Sequence, residues 1–476
     1  MNVQTFHGLQ TGNLNQRSRI LPRAHPITKT LNNAFVVLFS LALIIASFIP
    51  VTMPGDALSS ALDPNRAREI LLLVAGILLI WTQVRSQNLL HITVNNPTFL
   101  IVGIFVSWAL LSFLWSPAPL LTIARSCILF VLVLHAALTV TVVARYMTFS
   151  EEFAKLLTQV LMVILGFCLV SNIILWGTPL PMLINLPPTP LGELEAWEAR
   201  PRFLAGYAHP LVIADIMSLA IICLFVSDFR KRLKILIAPF FITILWLTDG
   251  RAATGSLLIA LVVISFIQIK RLDIRVWLVG LFLLSLLGYA VFFNLWDAGS
   301  QIWGQDWETL NGRMGLWSEV LPLILAKPLL GYGYFASRYL TLDIFDWAGQ
   351  THNSFLEILL TTGLVGFALL AAFTGYLIYM SIKTKNRLLI GVGVFCYIDG
   401  MFNPLLFYPS FSMFILLLCL MQSRLLTSKA VRAQIPGFQA SPIGRPKGPI
   451  LEPESDTRDQ QPHPALRGEG QGSLRS

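Results

Sequence analysis

The chain has 476 residues, of which 55% are hydrophobic and only 12% are charged, and its formal net charge is +9. Soluble domains contain about 25% charged residues, so this composition excludes a soluble enzyme and a disordered or fibrous chain. The hydrophobic excess predicts a polytopic membrane protein, in which surplus Lys and Arg reflect membrane topology and not nucleic-acid binding.

A membrane-spanning helix needs about 20 mainly apolar residues, and the sequence contains twelve candidate segments. They lie at residues 32–50, 70–84, 98–115, 120–143, 156–176, 209–227, 233–248, 252–269, 276–295, 354–380, 388–404 and 409–424. The predicted fold is an all-α polytopic integral membrane protein, with about 12 transmembrane helices in a membrane domain over residues 32–424.

The tails and loops predict how these spans are oriented. The polar N-terminal tail, residues 1–31, lacks a signal-peptide cleavage site and is assigned to the cytoplasm. Because the number of spans is even, the tail 425–476 is also cytoplasmic, and its Pro- and Gly-rich composition predicts disorder. Most Lys and Arg residues then lie on the cytoplasmic side, as the positive-inside rule requires. Two long loops, 177–208 and 296–353, then face outward, and the second contains an amphipathic stretch that predicts a helix.

Four arginines lie in or near the predicted outer face of the membrane: Arg125, Arg202, Arg251 and Arg313. An arginine at the bilayer centre costs about 2.5–3.5 kcal/mol, so such positions favour a function. The planar guanidinium group binds phosphate oxygens in pairs and stays charged at any working pH. These arginines are therefore candidates for binding a phosphate group. For Arg125 the alternative is a structural ion pair with Asp215.

Two histidines, His209 and His352, face the outer side, and His352 stands where the second long loop re-enters the membrane. An imidazole that is accessible yet partly desolvated suits a general base near neutral pH. The alternative is that His352 or Asn353 only caps the tenth helix. Both interpretations stay open at the level of sequence.

Three further features have a structural or weak functional interpretation. The acidic pair Asp306 and Glu308 is a weak signal for a divalent metal, and we expect no metal site. The spacing of Gly363 and Gly366 predicts a helix–helix contact. The five cysteines lie in apolar runs without the spacing of a zinc site or a disulfide framework.

Three segments in the second half of the chain share one pattern: Gly-Arg before a Trp, Pro before Gly-x-Gly, and His-Asn before Leu-Glu and Gly-x-x-Gly. They run over residues 311–317, 327–334 and 351–366, within a motif core of about 200–370. The pattern resembles the O-antigen ligase/polymerase superfamily, and in particular its exopolysaccharide polymerase branch. The residues that carry this resemblance are Arg313, Trp317, Gly331, Gly333, His352, Asn353 and Glu357.

The resemblance extends to a His-Pro element at His209 and to the segment around Arg251. Two positions depart from the family pattern. The pair Asp249-Gly250 replaces the usual Ser before the arginine, and Leu211 stands where an Asn is common after His-Pro.

The resemblance implies a GT-C-like glycosyltransferase that works at the periplasmic face of a bacterial inner membrane. Its implied donor is a glycan on undecaprenyl diphosphate, and its acceptor is a hydroxyl group of another glycan or of lipid A-core. By resemblance, His352 is the general base, Arg251 and Arg313 hold the diphosphate, and Arg202 and Arg125 are weaker candidates for that role. No metal or cofactor is implied. Besides the bilayer, the implied protein partners are a chain-length regulator and a flippase.

Several functions remain open at this stage. The motifs favour a polymerase but do not separate it from an O-antigen ligase. Outside the enzymes, a 12-span transporter or a flippase for lipid-linked oligosaccharides has a similar hydropathy profile. Many transporters consist of two related halves, whereas here the longest loop is external and off-centre. The gathering of Arg, His and Trp at one face favours the enzyme.

Overall fold

The computed structural model of the protein describes residues 26–48, 64–86, 96–143, 147, 150–176, 178, 203, 210–267, 312–345 and 348–427. Outside these ranges lie Arg202, His209, Asp306, Glu308, the predicted span 276–295 and most of both predicted tails. The chain divides into two units, Met1–Ile435 and Pro436–Ser476, and only the first contains described residues.

The described residues form helices joined by turns, and apart from one isolated bridge at Phe203 they contain no β-structure. In chain order the helices are α1 (Pro26–Ser47), α2 (Pro64–Ser86), α3 (Pro97–Leu111), α4 (Pro119–Val143), α5 (Ser150–Trp176), α6 (Pro210–Val226), α7 (Lys231–Leu247), α8 (Arg251–Ile267), α9 (Arg313–Ala326), α10 (Ser337–Thr341), α11 (Ser354–Thr384), α12 (Arg387–Asp399) and α13 (Phe411–Thr427). The predicted helix in the second long loop is therefore confirmed as α9, and that loop is partly helical within its described part.

Four segments are long and apolar enough to cross a membrane: Pro97–Leu114, Pro119–Val143, Ser150–Ile174 and Ser354–Thr384. Shorter apolar helices accompany them at Phe35–Ser47, Pro210–Val226, Arg251–Ile267 and Phe411–Leu425. The protein is thus a helical membrane protein, as predicted. Helices occupy most of the described residues in the predicted spans, but the predicted span 388–404 is helical only as far as Asp399, and residues 400–404 are not helical. The total of twelve stays a prediction.

Helix α13 is the most deeply buried helix in the described part of the bundle. Its residues from Phe414 to Met421 are all fully buried, because α3, α4, α6, α11 and α12 pack against it. By contrast, Ile174 on α5 and Trp246 on α7 are 78% and 83% exposed. Apolar side chains of this kind suit contact with lipid tails rather than water. The burial of α13 also fixes the connection that precedes it, residues 400–410, against the rest of the bundle.

Helix α11 is interrupted at Gly363. This residue has φ 64° and ψ −163°, a backbone conformation that is essentially restricted to glycine. The neighbouring segment 328–333, which begins with a turn, fills the break: the N–H of Tyr332 donates to the carbonyl of Leu360 at 2.9 Å, and the N–H of Gly333 donates to that of Thr361 at 2.8 Å. These bonds satisfy two carbonyl groups that the interrupted helix cannot satisfy itself.

The remaining polar groups at the break also have partners. The indole Nε1 of Trp108, on α3, donates to the carbonyl of Thr362 at 3.2 Å. On the other side of the break, the N–H of Leu364 donates to the carbonyl of Pro328 at 2.8 Å. Irregular backbone inside a membrane protein is tolerated only where other protein groups or water satisfy it. The segment 328–333 therefore forms one unit with α11.

The helix–helix contact predicted for Gly363 is wrong. A Cβ atom at this position would collide with the backbone carbonyl of Leu329 and lie 2.7 Å from the N of Gly331. The small residue is needed because the turn at residues 328–331, and not a second helix, approaches the backbone here. Gly331 itself has φ 65° and faces the backbone of Thr361, so both sides of this contact require glycine.

We expect Gly363→Ala to destabilise the protein, because alanine in the left-handed region costs roughly 1–2 kcal/mol and its Cβ would meet the Leu329 carbonyl. The matched control is Gly375→Ala on the same helix, where no heavy atom lies within 4 Å of the added Cβ. Removing an interior helix glycine there stabilises by roughly 0.5–1 kcal/mol. Thermal unfolding of the purified protein measures both variants, and equal melting temperatures for the two would contradict the role of the break.

Candidate active site

His352 lies in a tight turn directly before α11. It has φ 51° although it is not a glycine, and residues held in such sparsely populated conformations cluster at functional sites. Asn353 is the N-cap of α11, since its side-chain oxygen accepts from the N–H groups of Phe355 and Leu356 at 2.9 and 3.1 Å. The predicted capping role is therefore confirmed for Asn353, and the cap fixes the residue that follows His352.

Thr351, which precedes His352, is also held by hydrogen bonds. The N–H of Thr351 donates to the carboxylate of Glu357 at 3.0 Å, and the indole Nε1 of Trp317 donates to the carbonyl of Thr351 at 2.8 Å. Glu357 is 5% exposed and also accepts a hydrogen bond from the hydroxyl of Ser337. The residues that the motifs single out thus converge on the two neighbours of His352.

We expect Glu357→Gln to lower both the melting temperature and the activity, although it changes only one atom. The carboxylate accepts with both oxygens, whereas the amide of glutamine would bring an NH₂ group against a donor. An unsatisfied buried group of this kind costs about 1–3 kcal/mol. The exposed Glu319→Gln on α9 is the matched control. A Glu357→Gln protein as stable and active as this control would contradict the anchoring role.

The connection between α12 and α13 lies against the same turn. The side-chain amide of Asn353 donates to the carbonyl of Met401 at 3.0 Å, and the N–H of Ser354 donates to that of Gly400 at 2.7 Å. In return, the hydroxyl of Ser354 accepts from the N–H of Leu405 at 2.8 Å. A segment outside the predicted motif core therefore forms one wall of the site.

Arg313 faces this connection from the second loop. It is the first residue of α9, after Gly312 with φ 78°, and it interacts electrostatically with the carboxylate of Asp399 at the end of α12. Asp399 is adjacent to Gly400, which bonds to the His352 turn. Arg313 therefore interacts with Asp399, and the turn around His352 bonds to the adjacent residue, Gly400.

Asp399 has a second acidic neighbour. Its carboxyl group interacts electrostatically with that of Asp215 on α6. The amide of Asn403 donates to Asp399 at 3.1 Å, and the hydroxyl of Ser412 lies 3.5 Å from Asp215. These contacts differ from the Arg125–Asp215 ion pair that the sequence left open.

Arg125 lies instead beside the Gly-x-Gly segment. Its guanidinium carbon is 4.6 Å from the ring centroid of Phe335, and that ring stacks on Tyr408 at 4.7 Å. The hydroxyl of Tyr408 donates to the side-chain oxygen of Gln350 at 3.1 Å, two residues before His352. Stacked aromatic rings thus connect Arg125 with the same turn.

Gly333 and Tyr334 attach this segment to its surroundings. Gly333 has φ 105°, and a Cβ there would lie 2.5 Å from the Cβ of Ser116. The phenol of Tyr334 donates to the carbonyl of Phe407 at 2.9 Å. Burial raises the pKa of the Tyr334 phenol well above its usual value, so this group stays protonated and acts as a donor. The Gly-x-Gly motif therefore has a structural role.

Arg251 opens α8 and lies 3.4 Å from the carboxylate of Asp249, with 33% of its side chain exposed. Asp249 has φ 50°. The Asp-Gly pair that departs from the family pattern allows a close contact, because a Cβ on Gly250 would collide with that of Ala214. Ala214 precedes Asp215, so the start of α8 packs next to the carboxyl pair.

The sequence did not single out every residue near the predicted site. Asp399 was assigned to an ordinary span, and the connection after it was outside the motif core. The signal that could have identified it was its position, since an ionisable residue inside a predicted span is by default a functional candidate. Among the described residues there is no group of three His, Cys, Asp or Glu side chains suited to a metal.

Two comparisons with known proteins indicate which proteins the chain is similar to. A family model described as O-Antigen ligase matches residues 235–371, from α7 to the middle of α11. The ComP-specific O-oligosaccharyltransferase of Acinetobacter baylyi (strain ATCC 33305 / BD413 / ADP1) is 28% identical over 109 residues, which are 21% of this chain and 19% of that protein. The match thus covers about a fifth of the relative's length. The segment that matches the O-antigen ligase model contains Arg251, Arg313 and His352, and this match supports the predicted resemblance to the O-antigen ligase/polymerase superfamily.

Proposed function

We propose that this protein transfers a glycan from a polyprenyl diphosphate donor to a sugar hydroxyl at the periplasmic face of a bacterial inner membrane. In this way it polymerises repeat units of an exopolysaccharide or O-antigen. The O-antigen ligase match supports glycan transfer. The observation that carries the proposal is the anchored turn: Trp317 and Glu357 hold Thr351, and Asn353, the other neighbour of His352, bonds to Met401. Arg313 interacts with Asp399, next to the segment that lies against this turn.

In the proposed reaction the imidazole of His352 takes the proton of the acceptor hydroxyl, while the hydroxyl oxygen forms a bond to the anomeric carbon of the donor. The bond from that carbon to the diphosphate oxygen breaks, and the diphosphate leaves with the electron pair. General-base catalysis of this kind contributes about 10²–10⁴-fold to the rate. A direct displacement inverts the configuration of the anomeric carbon.

Arg313 and Arg251 are proposed to bind the departing diphosphate, with Arg125 and Arg202 in supporting positions. Fixed positive charges aimed at a developing negative charge stabilise it without reorganisation during the reaction. The proposal includes no metal or cofactor, because the guanidinium groups supply the charge.

A groove on the outer surface of the bundle supports a lipid-linked donor. It lies between α3 and α11, beside the break in α11, with a volume of about 490 Å³. It is lined by Ile104, Trp108, Leu364, Val365, Ala368 and Leu369. Isoprenoid chains are apolar, so burial of such a chain against these side chains is favourable.

Transfer to a protein is the second candidate function. The relative from Acinetobacter baylyi is named as an oligosaccharyltransferase specific for ComP. A serine or threonine hydroxyl would replace the sugar hydroxyl as nucleophile, and the roles of His352 and the arginines would stay the same. A ligase that uses lipid A-core as acceptor also follows the same chemistry.

The proposed orientation keeps the tails 1–31 and 425–476 in the cytoplasm and the loops 177–208 and 296–353 in the periplasm. It rests on the excess of basic residues in the predicted cytoplasmic loops. A polymerase in this orientation would work with a flippase that delivers its donor and with a chain-length regulator.

The function is tested with the full-length protein in liposomes that contain an undecaprenyl diphosphate-linked repeat unit, without nucleotide sugars, ion gradients or divalent metals. We expect products that grow by whole repeat units. Transfer only to added lipid A-core would support the ligase, and transfer only to an acceptor protein would support the second candidate. No transfer to any acceptor would contradict the proposal.

A further inference from the structure

Helix α9 exposes apolar side chains along its whole length, although it lies outside the predicted membrane spans. Met314, Leu321 and Leu325 are all exposed, Leu325 to 76%, and the period of 3.6 residues places them within about 40° of one another around the helix. Another side of α9 packs on its neighbours, since Leu316 and Val320 are fully buried. A contiguous exposed apolar surface of this kind marks an interaction site.

The exposed apolar side chains continue beyond the end of α9. The helix ends at Ala326, and Leu329, which follows three residues later, is 63% exposed. Its carbonyl accepts from the N–H of Val365 at 3.4 Å, and Val365 is itself exposed on α11, a helix that is long and apolar enough to cross a membrane. The exposed side chains thus join the lipid-facing surface of a span. We call the following exposed side chains the apolar row: Met314, Leu321, Leu325, Leu329 and Leu330.

The length of α11 indicates the depth at which this junction lies. After the break at Gly363, the helix continues to Thr384, which is a length of about 31 Å at 1.5 Å per residue. This length matches the thickness of the hydrocarbon core of a bilayer, about 30 Å. A bilayer centred on this part of α11 places Leu329 and Leu330 at one boundary of the hydrocarbon core.

A tyrosine and a lysine lie together at each end of this part of α11. At one end, the ammonium group of Lys383 is 5.2 Å from the ring centroid of Tyr379 and donates to its phenol oxygen at 2.9 Å. At the other end, the ammonium group of Lys327 is 4.4 Å from the ring centroid of Tyr332, and the N–H of Tyr332 bonds to α11 just before the break. Tyrosine is enriched at membrane interfaces, and lysine side chains extend there toward the headgroups. Both pairs therefore support the same depth.

The polar side of α9 fits this depth. Glu319 is the acidic residue of the helix and is exposed. It lies about 120° around the helix from Leu325, away from the apolar row and from the buried side chains. A helix in the membrane interface has its apolar face in the lipid and its charged face in water.

We propose that α9 and the turn after it lie in the membrane interface, with the apolar row in contact with the lipid tails of the leaflet on the side of the His352 turn. Lys327 extends toward the phosphate groups of the same leaflet. Removal of the apolar row from water is favourable, so lipid holds one face of α9 while the bundle holds another. The middle of the second long loop is then part of the membrane surface. This contact goes beyond the proposed reaction and does not depend on it.

Spin labels on the full-length protein in phospholipid liposomes test this contact without any substrate. Cys127 is the exposed member of the five free cysteines, so all labels are placed in a Cys127→Ala background. The test position is Leu325→Cys, the matched control on the same helix is Glu319→Cys, and the lipid-facing reference is Ile378→Cys on α11, where the native side chain is exposed. Oxygen concentrates among lipid tails, whereas a charge-neutral nickel chelate stays in water. We expect the ratio of oxygen to nickel collisions at Leu325→Cys to approach that at Ile378→Cys and to exceed that at Glu319→Cys several-fold.

Two results would overturn the proposal. Nickel collisions at Leu325→Cys that are as frequent as those at Glu319→Cys would place the apolar row in water. Protection of Leu325→Cys from both reagents would mean that another part of the chain or a second copy covers the row. Leu329→Cys is a second test position beyond the helix and decides the question if the melting temperature shows that Leu325→Cys fails to fold. A protein with lipid-exposed labels that transfers no glycan would contradict only the proposed function.

Discussion

Replacement of His352 by alanine is expected to lower the rate of glycan transfer by about 10²–10⁴-fold, because the acceptor hydroxyl loses its general base. The protein should still insert and fold, since Asn353, Glu357 and Trp317 hold the neighbours of His352 through contacts that do not use the imidazole. The measurement is the initial rate of transfer in liposomes at equal protein content.

The control for this variant is Lys385→Ala, at the other end of α11. Lys385 has φ 50°, close to the φ of 51° at His352, so the two substitutions place alanine in the same backbone conformation. Lys385→Ala should keep wild-type activity, which separates the loss of the imidazole from the backbone change. Transfer at the wild-type rate by His352→Ala would refute the assignment of the base.

A third variant separates chemistry from stability. Glycine adopts a positive φ without steric cost, so His352→Gly should relieve the backbone at this turn and leave the protein at least as stable as the alanine variant. Its activity should be as low as that of His352→Ala. A glycine variant that is more stable than the alanine variant but equally inactive is the result expected for a functional residue in a strained backbone conformation.

Arg313→Lys is expected to reduce activity strongly, although it preserves the positive charge. Lysine presents a single ammonium group and cannot bind two phosphate oxygens with a planar fork. The loss of one charge-assisted hydrogen bond is worth about 1.5–3 kcal/mol, which corresponds to a decrease of about 10- to 100-fold in kcat/KM for the donor. Steady-state kinetics with varied donor concentration measure this change.

The control is Arg230→Lys, which makes the same exchange in the loop between α6 and α7, outside the candidate site. We expect its donor kinetics to match those of the wild type. Wild-type kinetics in Arg313→Lys as well would show that Arg313 is structural. A loss of activity in Arg313→Lys together with a large fall in melting temperature would instead assign Arg313 to the fold.

The agreement between sequence and structure has a simple physical origin at the helices. A span that is apolar over about 20 residues has few alternatives to a helix in a bilayer, because unsatisfied backbone groups are costly there. The helices α3, α4, α5 and α11 therefore lie where the apolar segments predicted them. The cap at Asn353 was also predictable, since asparagine favours this position.

The interruption of α11 was not predictable in the same way. Gly363 lies in an apolar segment that reads as one continuous span, and glycine is compatible with a helix contact as well as with a break. The decision depends on the segment 328–333, which supplies donors and acceptors to both sides of the break. Such pairing between distant parts of the chain leaves no periodic signal.

By itself, the sequence determined that this is a helical membrane protein, that it resembles the O-antigen ligases and polymerases, and that His352 and Arg313 are prominent candidates. Hydropathy and motif spacing are properties of short stretches of sequence, so they can be recognised without a structure. Only the tertiary structure decided that Glu357 and Trp317 anchor the turn at His352 and that the connection after α12 packs against this turn. Those contacts join residues from separate helices, and burial inside the bundle gives them their strength.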